Sequence, residues 1–173
     1  MVRVILLIAV LSFISGTAAI KALNGDSDTY TEEQLEFLKE LTFTDFDGNE
    51  YDMSRFEGKV VLIDVWETWC TPCLVSFPHL DDLQQEFEDD FVVLALSPMM
   101  MDERETITGF IDEHDYEFVY AYNEEIAEKL EINSLPYKIY MGPDGNYIQT
   151  EIGNRGPDSD YETTKRLIEE YGQ

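Results

Sequence analysis

Hydrophobic and polar positions along this chain switch repeatedly between a strand-like and a helix-like period. LTFTDFDGNEY, residues 41–51, alternates as two short strands around an Asp47–Gly48 turn. KVVLIDVW, residues 59–66, is an almost unbroken β-branched run, the pattern of a strand buried on both faces. A helical period follows from about Cys70 to Glu88, and Pro78 inside it predicts a kink, because proline lacks the N–H and its ring crowds the preceding turn. FVVLALS at 91–97 reads as a second buried strand, ETITGFIDEH at 105–114 as a helix, EFVYAY at 117–122 as a third strand and NEEIAEKLEI at 123–132 as another helix. YKIYMG and YIQTEIG form a hairpin around Asp144–Gly145, and YETTKRLIEEY closes the chain as a helix. Ahead of these, Thr31 and Gln34 have capping-box spacing before Leu35, Phe37, Leu38 and Leu41, which predicts a short helix or an extended arm packed on the domain. Strands alternating with helices, then an antiparallel hairpin, imply an α/β fold with a mixed central sheet flanked by helices on both faces.

The first residues read differently. MVRVILLIAVLSFISGTAA carries a single Arg3, an apolar run from Val4 to Ile14 and small residues ending at Ala18 and Ala19, the layout of a secretory signal peptide over residues 1–19. The run is short for a bilayer, and an uncleaved anchor extending to Ile20 is the alternative. No cysteine near it is available for a lipid and no arginine pair occurs, which points to general secretion of an unfolded chain. Residues 20–30 read as a linker and 31–173 as one domain, since 173 residues with 44% hydrophobic content bury one core. The expected location is extracytoplasmic, in a periplasm or at the cell exterior.

Charge removes some functions from consideration. The formal net charge of -26 becomes -27 when Arg3 leaves with the signal and no acid goes with it. Nucleic acid is therefore not an expected partner, and anionic lipid is repelled as well. Such a surface serves solubility, as in a saline medium that screens self-repulsion, and its sharper reading is attraction of basic clients.

The chemistry lies in WCTPC, Trp69 to Cys73, which holds both cysteines. Cys70 falls at a helix N-terminus, where free backbone N–H groups and the helix dipole stabilise a thiolate and make it nucleophilic. Pro72 holds the turn, and the two-residue spacing sets Cys73 close enough to bond with Cys70, so that Cys73 resolves a mixed disulfide formed between Cys70 and a client. Two other readings stand beside this one. A structural staple would close so small a loop that it removes little chain entropy. A zinc site would need two more ligands from His79, His114 or carboxylates that show no regular spacing.

RFEGKVVLIDVWETWCTPCLVSFPHL, residues 55–80, resembles the thioredoxin superfamily and within it the secreted TlpA/ResA-like thiol-disulfide oxidoreductases, whose signature is similar to GKVVLVNFWATWCPPC followed by a proline five residues on, as Pro78 follows Cys73 here. NSLPYKIYMGPDGNYIQTEIG, residues 133–153, is similar to that family's cis-proline loop, strand and Asp-Gly hairpin, and the likeness covers roughly residues 40–170. It implies a thioredoxin-like fold with an extra helix-strand insertion before the cis-proline, between Phe91 and Ile132. It also implies a cis bond at Pro136, with Leu135 presenting its backbone to an extended client beside Cys70, where Trp69, Thr71 and Pro72 complete the client-binding face. Peroxiredoxins share the insertion, but the Pro and Thr of their peroxidatic motif are replaced by Ile63 and Glu67, so a peroxidase is not expected.

Two departures from the family pattern carry weight. Many members have an acid three residues after the second cysteine, and Ser76 stands there. Asp64 occupies the place where TlpA-type proteins usually have asparagine and cytoplasmic thioredoxins a buried aspartate. Burial in KVVLIDVW would raise its proton affinity and equip it to take the proton of Cys73, through water, as general base. Trp66 is expected in the core. Met99 to Met101 reads as a flexible apolar rim, with soft Cu(I) as the alternative ligand, and His79 as a surface or packing residue.

The function expected is an extracytoplasmic thiol-disulfide oxidoreductase that reduces disulfides of secreted protein clients, without metal or cofactor beyond the redox-active Cys70–Cys73 pair. It would act as a monomer and be re-reduced by a membrane thiol donor. The alternatives are a copper chaperone of the same fold, a disulfide-introducing oxidant, and a binding module with a vestigial cysteine pair.

Overall fold

The computed structural model describes residues 30–172, so the expected signal peptide and most of the expected linker lie outside the described residues. Seven strands join in one mixed sheet: β1 (Thr42–Asp45), β2 (Glu50–Asp52), β3 (Val60–Val65), β4 (Phe91–Ser97), β5 (Val119–Tyr122), β6 (Tyr137–Met141) and β7 (Tyr147–Ile152), in the order β2-β1-β5-β4-β3-β6-β7. β4 runs parallel to β3 and β5, and the other pairings are antiparallel. The helices are α1 (Glu32–Lys39), α2 (Thr71–Glu86), α3 (Arg104–Glu113), α4 (Ile126–Lys129) and α5 (Pro157–Tyr171), with a 3-10 turn over Met53–Phe56.

The apolar runs of β3 and β4 become the middle of the sheet because every one of their side chains is buried. Alternate residues serve opposite layers. Val61, Ile63 and Val65 pack with Leu38 of α1 and Ile126 of α4, whereas Val60 and Leu62 pack with Phe77 and Leu80 of α2, Ile107 of α3 and Leu167 of α5. Asp64 has the parity of Val60 and Leu62 and is therefore directed under the second layer. α1 begins with the complete Thr31–Gln34 capping box, and Gln34 bonds on to the Lys129 carbonyl, so this helix is docked on the domain.

Three elements differ from the sequence expectation. α2 runs Thr71–Glu86 with Cys70 as its N-cap, and Pro78 inside it leaves the Leu74 carbonyl without its helical N–H. α4 is a single turn rather than a helix over 123–132. A Schellman arrangement ends it: the Glu131 N–H reaches the Glu128 carbonyl and the Ile132 N–H the Ala127 carbonyl, with Glu131 left-handed at φ 55°. α5 starts at Pro157 instead of Tyr161, because Gly156 at φ 90° turns the chain and proline suits the first helical position. The expected insertion is present as α3 and β5, and β5 enters the sheet between β1 and β4.

Candidate active site

β3 delivers the chain through Trp66 to Trp69 into Cys70 at the head of α2. Cys70 and Cys73 are disulfide-bonded, with Cα atoms 5.3 Å apart. The Cys70 sulfur receives the Cys73 backbone N–H at 3.3 Å, and the Cys70 carbonyl accepts the Leu74 N–H at 3.2 Å, so the first turn is built around this residue. A thiolate formed there meets the Cys73 N–H, which the Cys70 carbonyl also accepts at 2.9 Å, and the positive end of a helix. Cys73 is fully buried and Cys70 only 2% exposed, whereas Trp69 is 50% exposed. Thr71 is exposed and Pro72 half-buried.

The Leu135–Pro136 peptide bond is cis. The register pairing Val65 with Tyr137 places it beside the end of β3 that leads to Cys70. Pro136 is buried, and Leu135 packs against the cluster that holds both cysteines.

Beneath the first turns of α2 lies a buried set of charges drawn from separate elements. The sheet register sets Asp64 opposite Lys138, whose Nζ is 4.0 Å from Asp64 Oδ2 and 3.2 Å from Asp160 Oδ2 of α5. Ser76, one helical turn beyond Cys73, donates its hydroxyl to the same Asp160 oxygen at 2.6 Å. Glu151 is Lys138's neighbour on β7 and pairs with Arg155 at 3.3 Å. One buried ammonium is thus shared by two buried carboxyls. Neither Asp64 oxygen has a hydrogen-bond partner among the described residues. Burial pushes the Asp64 carboxyl up to about 6; Lys138 pulls against this and Asp160 adds to it. Glu151 is raised too, by burial, with Arg155 opposing.

Asp64, Cys70, Cys73, Trp69, Thr71, Pro72, Leu135 and Pro136 therefore gather at one end of β3 and β6. Lys138 and Asp160 were missed by sequence reasoning. A lysine on the core-facing parity of an apolar strand marks the first, and the Gly-Pro start of α5 would have brought the second into a helix. Trp66 is wholly buried, as expected. His79 is half-buried, its ring 6.4 Å from that of Tyr161. Among the described residues no group of three His, Cys, Asp or Glu side chains is arranged to hold a metal ion.

Comparison with known proteins agrees with this geometry. A family model described as AhpC/TSA family matches residues 35–148. The thiol-disulfide oxidoreductase ResA of Bacillus thuringiensis subsp. konkukian is 30% identical over 147 residues, covering 81% of this chain and 79% of that protein. ResA of Bacillus cereus is 28% identical over 176 residues, covering 98% and 94%. Among solved structures, the pneumococcal exposed lipoprotein thioredoxin of Streptococcus pneumoniae is similar with a TM-score of 0.59 and 26% identity, over 73% of this chain and 98% of that one.

Proposed function

The chain belongs to the AhpC/TSA family and is a thiol-disulfide oxidoreductase of the ResA type, and from that premise we propose that it is exported and reduces disulfides of secreted protein clients. The observation that carries the reading is Cys70 at the N-cap of α2, bonded to Cys73, above a wholly buried Asp64 of raised proton affinity. Export is supported by the apolar run behind Arg3, with residues 1–19 as the signal or anchor, and by the likeness to a structure described as an exposed lipoprotein.

In the forward reaction the Cys70 thiolate attacks one sulfur of a client disulfide. That S–S bond breaks and the other client sulfur leaves as a thiolate, which takes up a proton. Cys73 then gives its proton to Asp64 through water and attacks the Cys70 sulfur, and the second client sulfur departs. Two electrons have passed to the client, and Cys70–Cys73 is left oxidised for a membrane thiol donor to reduce. Trp69, Thr71, Pro72 and the Leu135–Pro136 backbone form the client-facing surface.

The direction of electron flow rests on charge. With two carboxyls and one ammonium beneath α2, and an acidic chain around them, further negative charge on the cysteines is disfavoured. A less stabilised thiolate leaves the oxidised pair comparatively stable, which is the property of a reductant. Titrating the pair against a thiol buffer, followed by tryptophan fluorescence, tests this. A potential at or below about -230 mV fits a reductant, and a value near about -120 mV makes the protein an oxidant and refutes the direction.

A further inference from the structure

The loop after β4 and the loop that carries the disulfide are fastened to each other by two carboxylates reaching in opposite directions. Glu67, wholly buried, accepts the Trp69 indole N–H on Oε2 at 2.5 Å and the backbone N–H groups of Met100 and Met101 on Oε1 at 2.5 and 3.0 Å. Asp102 answers from the other loop. Its Oδ2 accepts the Thr68 N–H at 2.5 Å and its Oδ1 the Thr68 hydroxyl at 2.9 Å. The backbone carbonyl of Glu67 also accepts the Cys70 N–H at 2.9 Å, so one residue contacts the reactive cysteine's amide, the neighbouring indole and the second loop.

This clasp holds an arrangement that the chain would not choose locally. Met99 sits at φ 53°, a left-handed conformation costly for a side chain of its kind. The turn it makes points the Met100 and Met101 amides inward at the carboxylate that also holds the Trp69 indole, and leaves the two residues 46% and 75% exposed. Three large apolar residues, on two loops joined through Glu67, thus stand in water on an otherwise strongly acidic chain, and one of them, Trp69, adjoins Cys70. Methionine adapts its shape to varied apolar partners, and tryptophan gives a rigid flat contact.

We propose that Trp69, Met100 and Met101 form a docking ridge that receives an apolar side chain flanking the reacting cysteine of a polypeptide client, and that Glu67 is the positioning residue that holds the ridge together. The inference rests on the reading that the clients are polypeptides. The occupant follows from continuity with the reactive pair: a chain in mixed disulfide with Cys70 carries its flanking residues across Trp69, whereas a small thiol has no flanking side chain to place there. Charged flanks of negative sign meet Asp102 and Glu103 at the ridge margin and are disfavoured.

The test compares kcat/KM of the whole reduced protein on oxidised glutathione and on two short cysteine peptides, each a mixed disulfide with glutathione, one with leucine and one with aspartate on both sides of the cysteine. The leucine peptide should be favoured by about tenfold, the factor expected from burying roughly one or two apolar side chains incompletely. Glu67→Gln, which turns an amide N–H₂ toward N–H donors, should bring that ratio close to one. The double substitution Met100→Ser with Met101→Ser, at exposed positions that leave the core intact, should do the same and keeps the test decisive if Glu67→Gln folds poorly. A ratio that survives in the double variant, or no preference in the parent, overturns the ridge. A concentration-dependent dimer that Met101→Ser dissolves would assign the surface to a second copy and overturn it too. Failure of the underlying reading looks different: the parent would then exchange with oxidised glutathione and with neither peptide, or with no disulfide at all.

Discussion

Replacing Asp64 by asparagine should raise the stability of the oxidised protein, relative to the parent, as pH goes from acid to neutral, and the amount follows from where the carboxyl sits. In an unfolded chain it titrates near 3.8, and in the native state at about 6. The native state therefore holds the proton more tightly than the unfolded one. Below both values the two states are equally protonated and Asp64 exerts no electrostatic penalty. As pH rises from about 4 to 6 the unfolded state releases the proton first, and native stability falls. At about 1.4 kcal/mol per pH unit the penalty is complete above pH 6 at about 3 kcal/mol. Asparagine does not titrate, so its difference from the parent should grow by about 2.4 kcal/mol between pH 4, where the unfolded carboxyl is already partly ionised, and pH 7. Any constant offset, from Lys138 leaning on Asp160 alone or from the buried amide, is common to all pH values, and Glu151 titrates in both proteins and cancels. Urea melts of both oxidised proteins from pH 4 to 8, followed by tryptophan fluorescence, measure the difference. Parallel stability curves would refute the claim that Asp64 is buried with a raised proton affinity.

In single-turnover exchange Asp64→Asn should slow resolution of the mixed disulfide and leave the first attack nearly unchanged, whereas Lys138→Met, by removing the cation that lowers the Asp64 carboxyl, should move the pH midpoint of resolution above about 6; an unmoved or lowered midpoint in the Lys138 variant would sink the coupling. Gln84 is buried and holds two backbone groups at once, accepting the Val93 N–H at 2.6 Å and donating to the Glu117 carbonyl. Gln84→Leu leaves both unpaired and should cost about 3 kcal/mol in a urea melt, and a loss under about 1 kcal/mol would contradict the assignment. Glu131, exposed and left-handed, is the opposite case, since Glu131→Gly should raise stability by about 1 kcal/mol without altering exchange kinetics; a destabilised glycine variant would count against it.

What could be read from the sequence was what local pattern controls. β3 and β4 announce themselves because burial on both faces demands unbroken apolar residues, and Asp64 stands out as the one charge inside such a run. The cysteine pair and Pro136 are equally visible, since their chemistry depends on residue type and spacing. The rest depends on partners far along the chain. Ser76 looks like the loss of an acid until α5 brings Asp160 to it across 84 positions. Lys138 stands out as a lysine within an apolar strand, but only the register names its partner by setting it against Asp64. α4 was overestimated because its stop signal is a backbone arrangement around Glu131, with no glycine to mark it. Glu67 gave no sign of its role, as two of its three partners are main-chain amides, which any sequence supplies.

The placement of Asp160 also bears on the order in which the protein acquires its chemistry. The cysteine pair, Asp64 and Lys138 all precede α5 in the chain, and α5 sets Asp160 against Ser76 and Lys138 and Thr164 against Tyr140 at 2.9 Å. A chain emerging from its N-terminus thus holds both thiols before the helix that seals the charges beneath them exists. Until α5 docks, Lys138 and Ser76 lack Asp160, and Asp64 lacks the neighbouring charge that adds to its raised proton affinity. The tuned reactivity belongs to the finished fold, and a chain cut short before α5 keeps two cysteines without the environment that governs them.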